Sequence, residues 1–494
     1  IESAGGLKLV YIDPPFNVGD NFYMEIPVGE SCLALKRLAY ADRWDGNYFN
    51  MLKERLLLIR ELLADDGCVF AHCDWRTNAK TRLILDDIFG YFENEIIWHY
   101  TGGGRSSRRF SRKHDTILVY TKSGRLRFDG DAIRVPYKKS SGYARSGIRA
   151  KSGKRYLPNP AGAIPDDVWH IPIVNPLSPE RSGYPTQKPE SLIERVILSC
   201  SREGDLVADF FCGSGVFPAV AAKFRRGWIA VDSGKLAVDS SKKRILANTS
   251  EVCFDVLEAA PATRRVSRIL DCYGAMRTND RLFQGWKDGR PVAVVHGIAT
   301  PDIAKKIILR CRRDGGRAVD ILATGFAAGL LPGILAFARE NGANLRLLRI
   351  PDPLIESVPT AGDLVFYPAS WPETSVEFKN GKLAAKLTGY KFSESPQIIP
   401  LCPSGEALAK NDVLPLDWRE WIDYWAVDYK FIPGEIFRPA WTSFRTKNNT
   451  NLKFLADSGD IPTAGRKIAV KTIDILGLEA RAVIDVNPIV RSPA

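Results

Sequence analysis

Short apolar runs alternate with longer stretches in which apolar residues recur every three or four positions along the first half of the chain. The short runs predict β-strands, at 9–12, 67–71, 94–100, 116–120, 206–208 and 228–231. The longer stretches predict helices, and one such apolar stripe consists of Phe49, Leu52, Leu56 and Ile59. Because strands and helices that alternate in this way build an open sheet covered by helices, the pattern predicts a doubly wound α/β sheet.

The pattern changes in the second half of the chain. Three apolar runs separated by two helical stretches predict a small three-layer α/β domain over 285–355. From residue 364 onward, Asn380 and Gly381 lie between two alternating runs and predict a tight hairpin turn. Further alternating runs at 467–472 and 480–486 predict a mainly β, sandwich-like domain over 364–494. The α/β region carries no phosphate loop and no paired acid and base, so it is interpreted as a non-catalytic domain.

The first strand ends abruptly at Asp13, Pro14, Pro15 and Phe16. An exocyclic amine on a nucleic-acid base is a poor nucleophile, because its lone pair is delocalised into the ring. A carboxylate and a main-chain carbonyl that accept its hydrogens would free that lone pair, and Asp13 and Pro14 can supply them. Phe16 offers a face on which a base can stack. The motif therefore predicts methylation of a base amine, while a strand followed by a proline turn, with Asp13 as a local cap, is the structural alternative.

A second strand runs into a glycine turn at 212–215. Gly213 and Gly215 permit positive φ and the close approach of a ligand. After the following helix, another strand ends at Asp232, where a carboxylate can bind ribose hydroxyls. A dinucleotide oxidoreductase is the rival interpretation, but Pro218 occupies the third glycine position of its fingerprint. S-adenosylmethionine carries no phosphate and needs only the turn and the acid.

A third segment, at 184–190, precedes a helix. Thr186 is predicted to cap that helix, and Pro189 and Glu190 suit its first turn. Together, the three segments resemble the DNA amino-methyltransferases of the permuted β type, such as the modification subunits of restriction systems. That family has a catalytic Asp-Pro-Pro-Phe/Tyr motif first, then a target-recognition segment, then Pro-Thr-Gln-Lys-Pro and Phe-x-Gly-Ser-Gly motifs, and this sequence has the same order over roughly residues 5–250.

The resemblance implies a Rossmann-like, S-adenosylmethionine-dependent methyltransferase domain over 1–260, with a target-recognition segment inserted at 101–183. In this interpretation Asp13, Pro14 and Pro15 hold the target amine and Phe16 stacks on the base. The residues implied to surround the cofactor are Asp209, Phe211, Cys212, Gly213, Ser214, Gly215 and Asp232, with Thr186 and Lys188 nearby. Because the first motif residue is aspartate, the expected target is N6 of a flipped adenine, and N4 of cytosine is the alternative.

The sequence departs from the family pattern near both motifs. Phe210 and Val216 stand where proline and threonine are commoner, and the turn glycines and acids remain. Relatives usually carry an acidic strand-turn-helix segment upstream of the catalytic strand that helps hold the cofactor, whereas this chain begins at Ile1. A second interpretation is therefore a DNA-binding fragment with an incomplete cofactor site.

The net charge of +12 is concentrated in one segment. Residues 101–155 contain 16 Lys or Arg and three Asp, a surplus of 13, so the rest of the chain is close to neutral. Basic residues neutralise phosphates and interspersed aromatic rings stack on bases, so the segment is predicted to grip double-stranded DNA rather than to be only a solvated loop. The residues predicted to contact DNA are Arg105, Arg108, Arg109, Arg112, Lys113, Lys138 and Lys139.

Composition excludes several other classes. No apolar run approaches the ~20 residues of a membrane span, and no signal peptide is visible. The nine cysteines form no C-x-x-C pair, so neither a metal site nor a disulfide framework is predicted. We expect a cytoplasmic, DNA-associated protein of a bacterium, an archaeon or a phage. Its candidate protein partners are a restriction or helicase–nuclease subunit and a second copy of the chain.

Overall fold

The chain forms two compact units. The first comprises Ile1–Met24 and Leu38–Val252, and the second comprises Glu25–Arg37 and Cys253–Ala494. The computed structural model describes residues 1–30, 33–44, 46–102, 106–138, 141–248, 254–257, 266–327, 329–351, 365–379, 382–395, 401–403, 417–433, 435–447, 449–456 and 467–486. Within these residues, no helix combines the length and the apolar character needed to cross a membrane.

Strands and helices alternate along the first half of the chain, as the sequence pattern predicts. The strands are β1 (Leu7–Ile12), β2 (Asn21–Pro27), β3 (Leu33–Ala41), β4 (Leu63–Cys73), β5 (Tyr91–His99), β6 (His114–Thr121), β7 (Ile148–Arg149), β8 (Arg155–Tyr156), β9 (Val168–His170), β10 (Leu206–Asp209) and β11 (Gly227–Ala230). The helices are α1 (Tyr48–Leu62), α2 (Asn78–Phe89), α3 (Gly142–Ser146), α4 (Glu190–Cys200), α5 (Val216–Lys223) and α6 (Lys235–Asn248).

A seven-stranded sheet with the order β11-β10-β1-β4-β6-β5-β9 forms the centre of the first unit. Strands β11, β10, β1 and β4 are parallel, whereas β6 is antiparallel to both of its neighbours. The chain passes from β10 through α5 to β11 on one side, and from β1 through α1 to β4 on the other. The strand order therefore reverses between β1 and β10, and the crevice at their carboxyl ends is where open α/β sheets bind ligands. The predicted doubly wound sheet is confirmed.

Burial on both faces fixes the position of β1. Leu9 and Tyr11 pack in one apolar cluster with side chains of α4 and α5, whereas Val10 and Ile12 pack in another with side chains of α1 and α2. Each fully buried side chain of this size contributes about 1.5–3 kcal/mol to stability. The residue after β1, Asp13, thus leaves the sheet from a strand held on both sides.

The second unit contains the remaining elements. Its helices are α7 (Val266–Tyr273), α8 (Pro301–Arg313), α9 (Leu330–Glu340) and α10 (Trp418–Trp421). Its strands are β12 (Met276–Arg277), β13 (Gly285–Lys287), β14 (Arg290–Ala299), β15 (Ala318–Phe326), β16 (Asn344–Arg349), β17 (Tyr367–Pro368), β18 (Ser370–Lys379), β19 (Lys382–Phe392), β20 (Leu401–Pro403), β21 (Ile422–Asp428), β22 (Trp441–Phe444), β23 (Leu455–Ala456), β24 (Lys467–Asp474) and β25 (Glu479–Asp485).

These elements form an α/β part and a β part. A six-stranded sheet, β12 to β17 in order, has α8 and α9 packed on one face and α7 on the other, which gives three layers. Two further sheets, β18-β19-β23 and β22-β21-β24-β25, share one apolar core that contains Leu387, Trp425 and Val470. The predicted small α/β unit and sandwich-like region are both present.

Some details differ from the sequence predictions or lie beyond them. Strand β9 is an edge strand of only three residues, too short for its apolar pattern to predict it. Strands β18 and β19 pair antiparallel as expected, but Asn380 and Gly381 themselves lie outside the described residues. The domain boundaries at 1–260, 285–355 and 364–494 stay predictions.

Candidate active site

Asp13 lies at the carboxyl end of β1 with one carboxylate oxygen paired and the other unsatisfied. Lys188 Nζ donates to Asp13 Oδ2. Within the described residues, Asp13 Oδ1 is buried and accepts no hydrogen bond, and the Nδ1 atom of His72 lies 3.8 Å from it. A buried carboxylate oxygen without a donor is costly, because it has lost its water. It is therefore ready to accept an N–H group from a bound ligand.

His72 is fully buried beside Asp13 and is held by three partners. Its Nδ1 is 2.8 Å from the Tyr11 hydroxyl, and its Nε2 is 3.3 Å from Asp115 Oδ2. Burial, with the charge of Asp13, holds the pKa of Tyr11 well above its ordinary value, so its hydroxyl stays protonated and is able to donate to Nδ1. Since a carboxylate only accepts, the Nε2–H group then donates to Asp115. The Trp98 ring, 5.5 Å away, packs edge-on against the imidazole.

Asp115 is kept ionised by its neighbours. Burial alone would raise the pKa of its carboxyl, but the hydrogen bonds from His72 and Tyr100 and the charge of Lys188 outweigh burial and hold that pKa below its ordinary value. The pair His72 and Asp115 therefore fixes the surroundings of Asp13. His72, near the end of β4, is thus a buried, hydrogen-bonded histidine.

Phe16 is held between the same groups. Its ring centroid is 5.7 Å from that of His72, and Lys188 Nζ lies 5.2 Å from the ring. These contacts fix the ring next to the Asp13 carboxylate. The predicted residues Asp13, Phe16 and Lys188 are thus brought together.

Asp42 holds the loop that follows Phe16, and sequence analysis did not identify it. Its side chain is 1 % exposed, and it accepts the N–H groups of Asn17 and Val18 at 2.9 Å each. The Trp44 indole also donates to it, at 3.0 Å. Asn17 has φ 56°, a left-handed conformation that asparagine tolerates better than most residues. Asp42 therefore fixes the direction in which the chain leaves the motif at 13–16.

Replacing Asp42 with asparagine should slow the methyl transfer that the sequence predicts, while the fold persists. The amide would present N–H hydrogens to backbone N–H groups, and each lost hydrogen bond to a charged group costs about 1.5–3 kcal/mol. We expect kcat to fall about tenfold or more, because 1.4 kcal/mol corresponds to a factor of ten. The matched control is Asp65→Asn, whose side chain is 79 % exposed. Equal kcat values for the two variants would exclude a positioning role for Asp42.

The glycine turn after β10 is built around Asp232. Gly213 and Gly215 both have positive φ, 46° and 75°, as their predicted role requires. The Gly213 N–H donates to Asp232 Oδ2 and the Gly234 N–H to Oδ1, at 2.9 and 2.8 Å. Burial raises the pKa of Asp232, and these two N–H donors oppose that rise. Each carboxylate oxygen has a second lone pair, so the acid can still accept hydroxyl groups from a ligand.

The other predicted cofactor residues shape this turn from within. Asp209 is buried, and its Oδ1 accepts the Phe211 N–H at 2.9 Å. Burial raises the pKa of Asp209 well above its ordinary value, and the charges of Asp13 and Asp232 add to that rise. Cys212 and Ser214 are buried, and the Ser214 carbonyl accepts Nε of Arg244 at 2.9 Å.

An aromatic row lies beside the turn. The Phe22 ring stacks on the Tyr40 ring with their centroids 4.7 Å apart. The Tyr40 ring in turn stacks on the Tyr184 ring, with a centroid separation of 6.4 Å. A Cβ atom on Gly213 would lie 3.3 Å from the Tyr184 ring, so the turn passes close to this row. Tyr184 belongs to the segment 184–190 that the sequence pattern identifies, whereas no motif around Tyr40 predicts its place in this row. Flat apolar faces next to a glycine turn can bind a planar ring.

Thr186 does not cap α4, which corrects the sequence prediction. The N-cap residue is Pro189, and the Glu190 N–H at the start of the helix donates to Glu180 Oε1 at 2.8 Å. Thr186 instead has φ 57°, and its hydroxyl lies 3.1 Å from that of Tyr40. The left-handed conformation turns the chain so that Lys188 reaches Asp13. Thr186 thus lies beside the aromatic row, and its place near the cofactor stays a prediction.

The predicted DNA-binding residues have different environments. Arg108, Arg109 and Lys138 are exposed, while Arg105 and Lys139 lie outside the described residues. The Arg112 guanidinium is 3.5 Å from the Trp75 ring centroid, and Lys113 Nζ donates to the Gly102 carbonyl. Other basic residues of the segment hold the fold. Arg127, for example, pairs with Asp66 and Asp205 at 2.8 and 3.1 Å.

Comparison with known proteins identifies relatives of the first half of the chain. The family model N6_N4_Mtase, described as DNA methylase, matches residues 7–243. Type II methyltransferase M.HpaI of Haemophilus parainfluenzae is 32% identical over 241 residues, which cover 48% of this chain and 68% of that protein. DNA adenine methyltransferase YhdJ of Escherichia coli strain K12 is 27% identical over 245 residues, covering 49% and 77%. Among solved structures, the M1.HpyAVI–SAM complex is 19% identical, covers 49% of this chain and 91% of its own, and has a TM-score of 0.32.

Proposed function

The chain belongs to the N6/N4 DNA methylase family, and from this membership we propose that it methylates the N6 amine of a flipped adenine in double-stranded DNA, with S-adenosylmethionine as donor. The observation that carries the proposal is the unsatisfied, buried Asp13 Oδ1 at the point where the strand order reverses. An unsatisfied oxygen at this crevice can accept a hydrogen bond from the N–H of an amine. The Phe16 ring, fixed next to it, can stack on the base that bears the amine.

The residues after β10 and β11 fit the cofactor. Two glycines with positive φ leave room for a ligand against the backbone, and the acid that organises the turn keeps lone pairs for ribose hydroxyls. We assign Asp232 to the ribose and the faces of Tyr40 and Tyr184 to the adenine ring. S-adenosylmethionine supplies, when bound, a methyl group on a positively charged sulfur that is a good leaving group.

The residues of the chain position the amine and take its proton. In the proposed mechanism Asp13 Oδ1 accepts one amine hydrogen and the Pro14 carbonyl accepts the other, which directs the nitrogen lone pair toward the methyl group. Lys188 holds the second carboxylate oxygen, so Asp13 cannot rotate away from the amine. As the nitrogen–carbon bond forms, the proton that the nitrogen loses passes to Asp13. His72 and Asp115 keep this side of the pocket in place.

Adenine is proposed over cytosine for two reasons. The catalytic motif begins with aspartate, whereas cytosine-specific members of the family more often begin with serine. One matched relative is described as a DNA adenine methyltransferase. Cytosine N4 is the second candidate, because the matched family includes both chemistries.

Incubation of the chain with labelled S-adenosylmethionine and mixed bacterial and phage DNA, followed by nucleoside analysis, tests the proposal. We expect label in N6-methyladenine and none with the Asp13→Ala variant. Label in N4-methylcytosine would move the target to cytosine. Absence of cofactor binding by calorimetry, with no label in any nucleoside, would instead favour the DNA-binding fragment with an incomplete cofactor site.

Neutralising the exposed arginines should weaken DNA binding in a salt-dependent way. Changing Arg108, Arg109 and Arg112 to glutamine removes three charges that can displace counterions from DNA. The negative slope of log K, the association constant, against log salt should therefore become shallower by about 2–3 units. Filter binding or anisotropy at several salt concentrations measures the slope. A variant that loses three exposed charges on α1, at Lys53, Arg55 and Arg60, is the control. Equal slopes for the two variants would show that the segment does not contact phosphates.

A further inference from the structure

Phe110 is presented outward by a turn tied at both ends. Ser111 Oγ accepts the N–H of Ser106 at 3.1 Å, which closes the segment 106–111. Inside it, Ser106 Oγ accepts the N–H groups of Arg108 and Arg109 at 3.2 and 3.3 Å. The Phe110 side chain at the end of this turn is 99 % exposed. One exposed apolar side chain carries little information by itself, so its position and neighbours decide what it does.

The turn lies at the same edge of the sheet as the catalytic carboxylate. It joins the end of β5 to the start of β6, and β6 is antiparallel to β4, so the connection lies where β4 ends. Arg112 fixes it there through the Trp75 ring, two residues after β4. Where the connection leaves β5, the Tyr100 hydroxyl donates to Asp115. Asp115 is hydrogen-bonded to His72, which lies beside Asp13. Phe110 therefore projects from a connection anchored next to the pocket.

The neighbours of Phe110 select the kind of partner. Within 106–113 it is the only apolar residue, alongside four basic and three serine residues. A protein partner would bury Phe110 among further apolar side chains, which this turn does not offer. Duplex DNA suits the combination, because arginines bind phosphates while an aromatic ring can enter the base stack between them.

We propose that Phe110 is a wedge that enters the duplex next to the target adenine and fills the space left when the base turns toward Asp13. Removing a base from the stack costs stacking and pairing energy, and that cost is lowest for a base that is already mispaired. The ring of Phe110 compensates part of it by stacking on the bases that remain. The inference rests on the proposed function and adds a residue that assists flipping without touching the amine.

The test uses the intact chain and a short duplex that the unaltered chain methylates. In one duplex 2-aminopurine replaces the target adenine, and its fluorescence rises when the base leaves the stack. We expect Phe110→Ala to reduce this rise and to lower kcat about tenfold on the matched duplex. The affinity for the duplex should change less than about threefold, since the arginines remain. Phe110→Trp should restore both signals.

Two comparisons separate flipping from loop structure. A mismatched base opposite the target adenine should return the rate of Phe110→Ala to near that of the unaltered chain, because the mispaired base leaves the stack easily. Leu83→Ala, which truncates a 64 % exposed apolar side chain on α2, should behave like the unaltered chain throughout. The inference is overturned if Phe110→Ala keeps its fluorescence rise and its rate, or if its loss is equal on matched and mismatched duplexes. Absence of methyl transfer by the unaltered chain would refute the proposed function itself.

Discussion

Replacing Asp13 with alanine should abolish methyl transfer and leave both binding steps intact. Asp13 Oδ1 is buried without a donor, and Oδ2 is held by Lys188, so the change removes the acceptor that orients the amine and takes its proton. Removing one preorganised group of this kind typically costs a factor of about 100–1000 in kcat, and loss of the proton acceptor adds to it. We expect kcat to fall about a thousandfold or more, measured as labelled methyl incorporation under single-turnover conditions.

The variant must be compared with one that alters the same loop without touching the pocket. Asp20→Ala serves, because the Asp20 side chain is exposed and the hydrogen bond from the Asp42 N–H goes to the Asp20 main-chain carbonyl, which alanine keeps. Dissociation constants for S-adenosylmethionine and for duplex DNA should stay within about threefold of those of the unaltered chain for both variants. Turnover by Asp13→Ala at the level of Asp20→Ala would remove Asp13 from the mechanism.

The sequence predicts the central sheet because the physics of that sheet is local and repetitive. Strands buried on both faces must be apolar along their whole length, and the helices that cover them must carry an apolar stripe. The sequence pattern therefore predicts β1, β4, β10 and α1. Strand β9 has no such signature, since three residues at an edge need only their neighbour β5 to pair.

The candidate site is predicted only where its residues follow one another in the chain. Asp13, Gly213 and Asp232 stand at the ends of strands, and their motifs are visible by spacing. Asp42 and Tyr40 act through residues distant in sequence, Asn17 and Thr186, so nothing beside them in the chain signals their role. Prediction of a cap at Thr186 is wrong for the same kind of reason, because its backbone conformation is set by the turn that carries Lys188 to Asp13.

Replacing Gly215 with alanine should destroy cofactor binding by deforming the turn. A Cβ atom there would lie 2.4 Å from the main-chain Cα of Ser241, so α5 and α6 would have to move apart. The φ of 75° adds about 1–2 kcal/mol for a residue with a side chain, and overpacking adds about 1–3 kcal/mol. The same displacement shifts Gly213, whose N–H fixes Asp232. We expect the dissociation constant for S-adenosylmethionine to rise more than tenfold, about 1.4 kcal/mol or more.

Gly204 provides the control that separates the two causes. It also has positive φ, 85°, at the turn before β10, but a Cβ atom there would meet nothing within 4 Å. Gly204→Ala should therefore carry only the backbone cost, about 1–2 kcal/mol of stability, with cofactor affinity unchanged. Thermal melting and calorimetry, the latter at a temperature where both variants are folded, give the two quantities. Both variants carry the backbone strain of positive φ, but only Gly215→Ala adds a steric clash. Equal cofactor affinities for Gly215→Ala and Gly204→Ala would therefore mean that the close packing of α5 on α6 does not shape the cofactor turn.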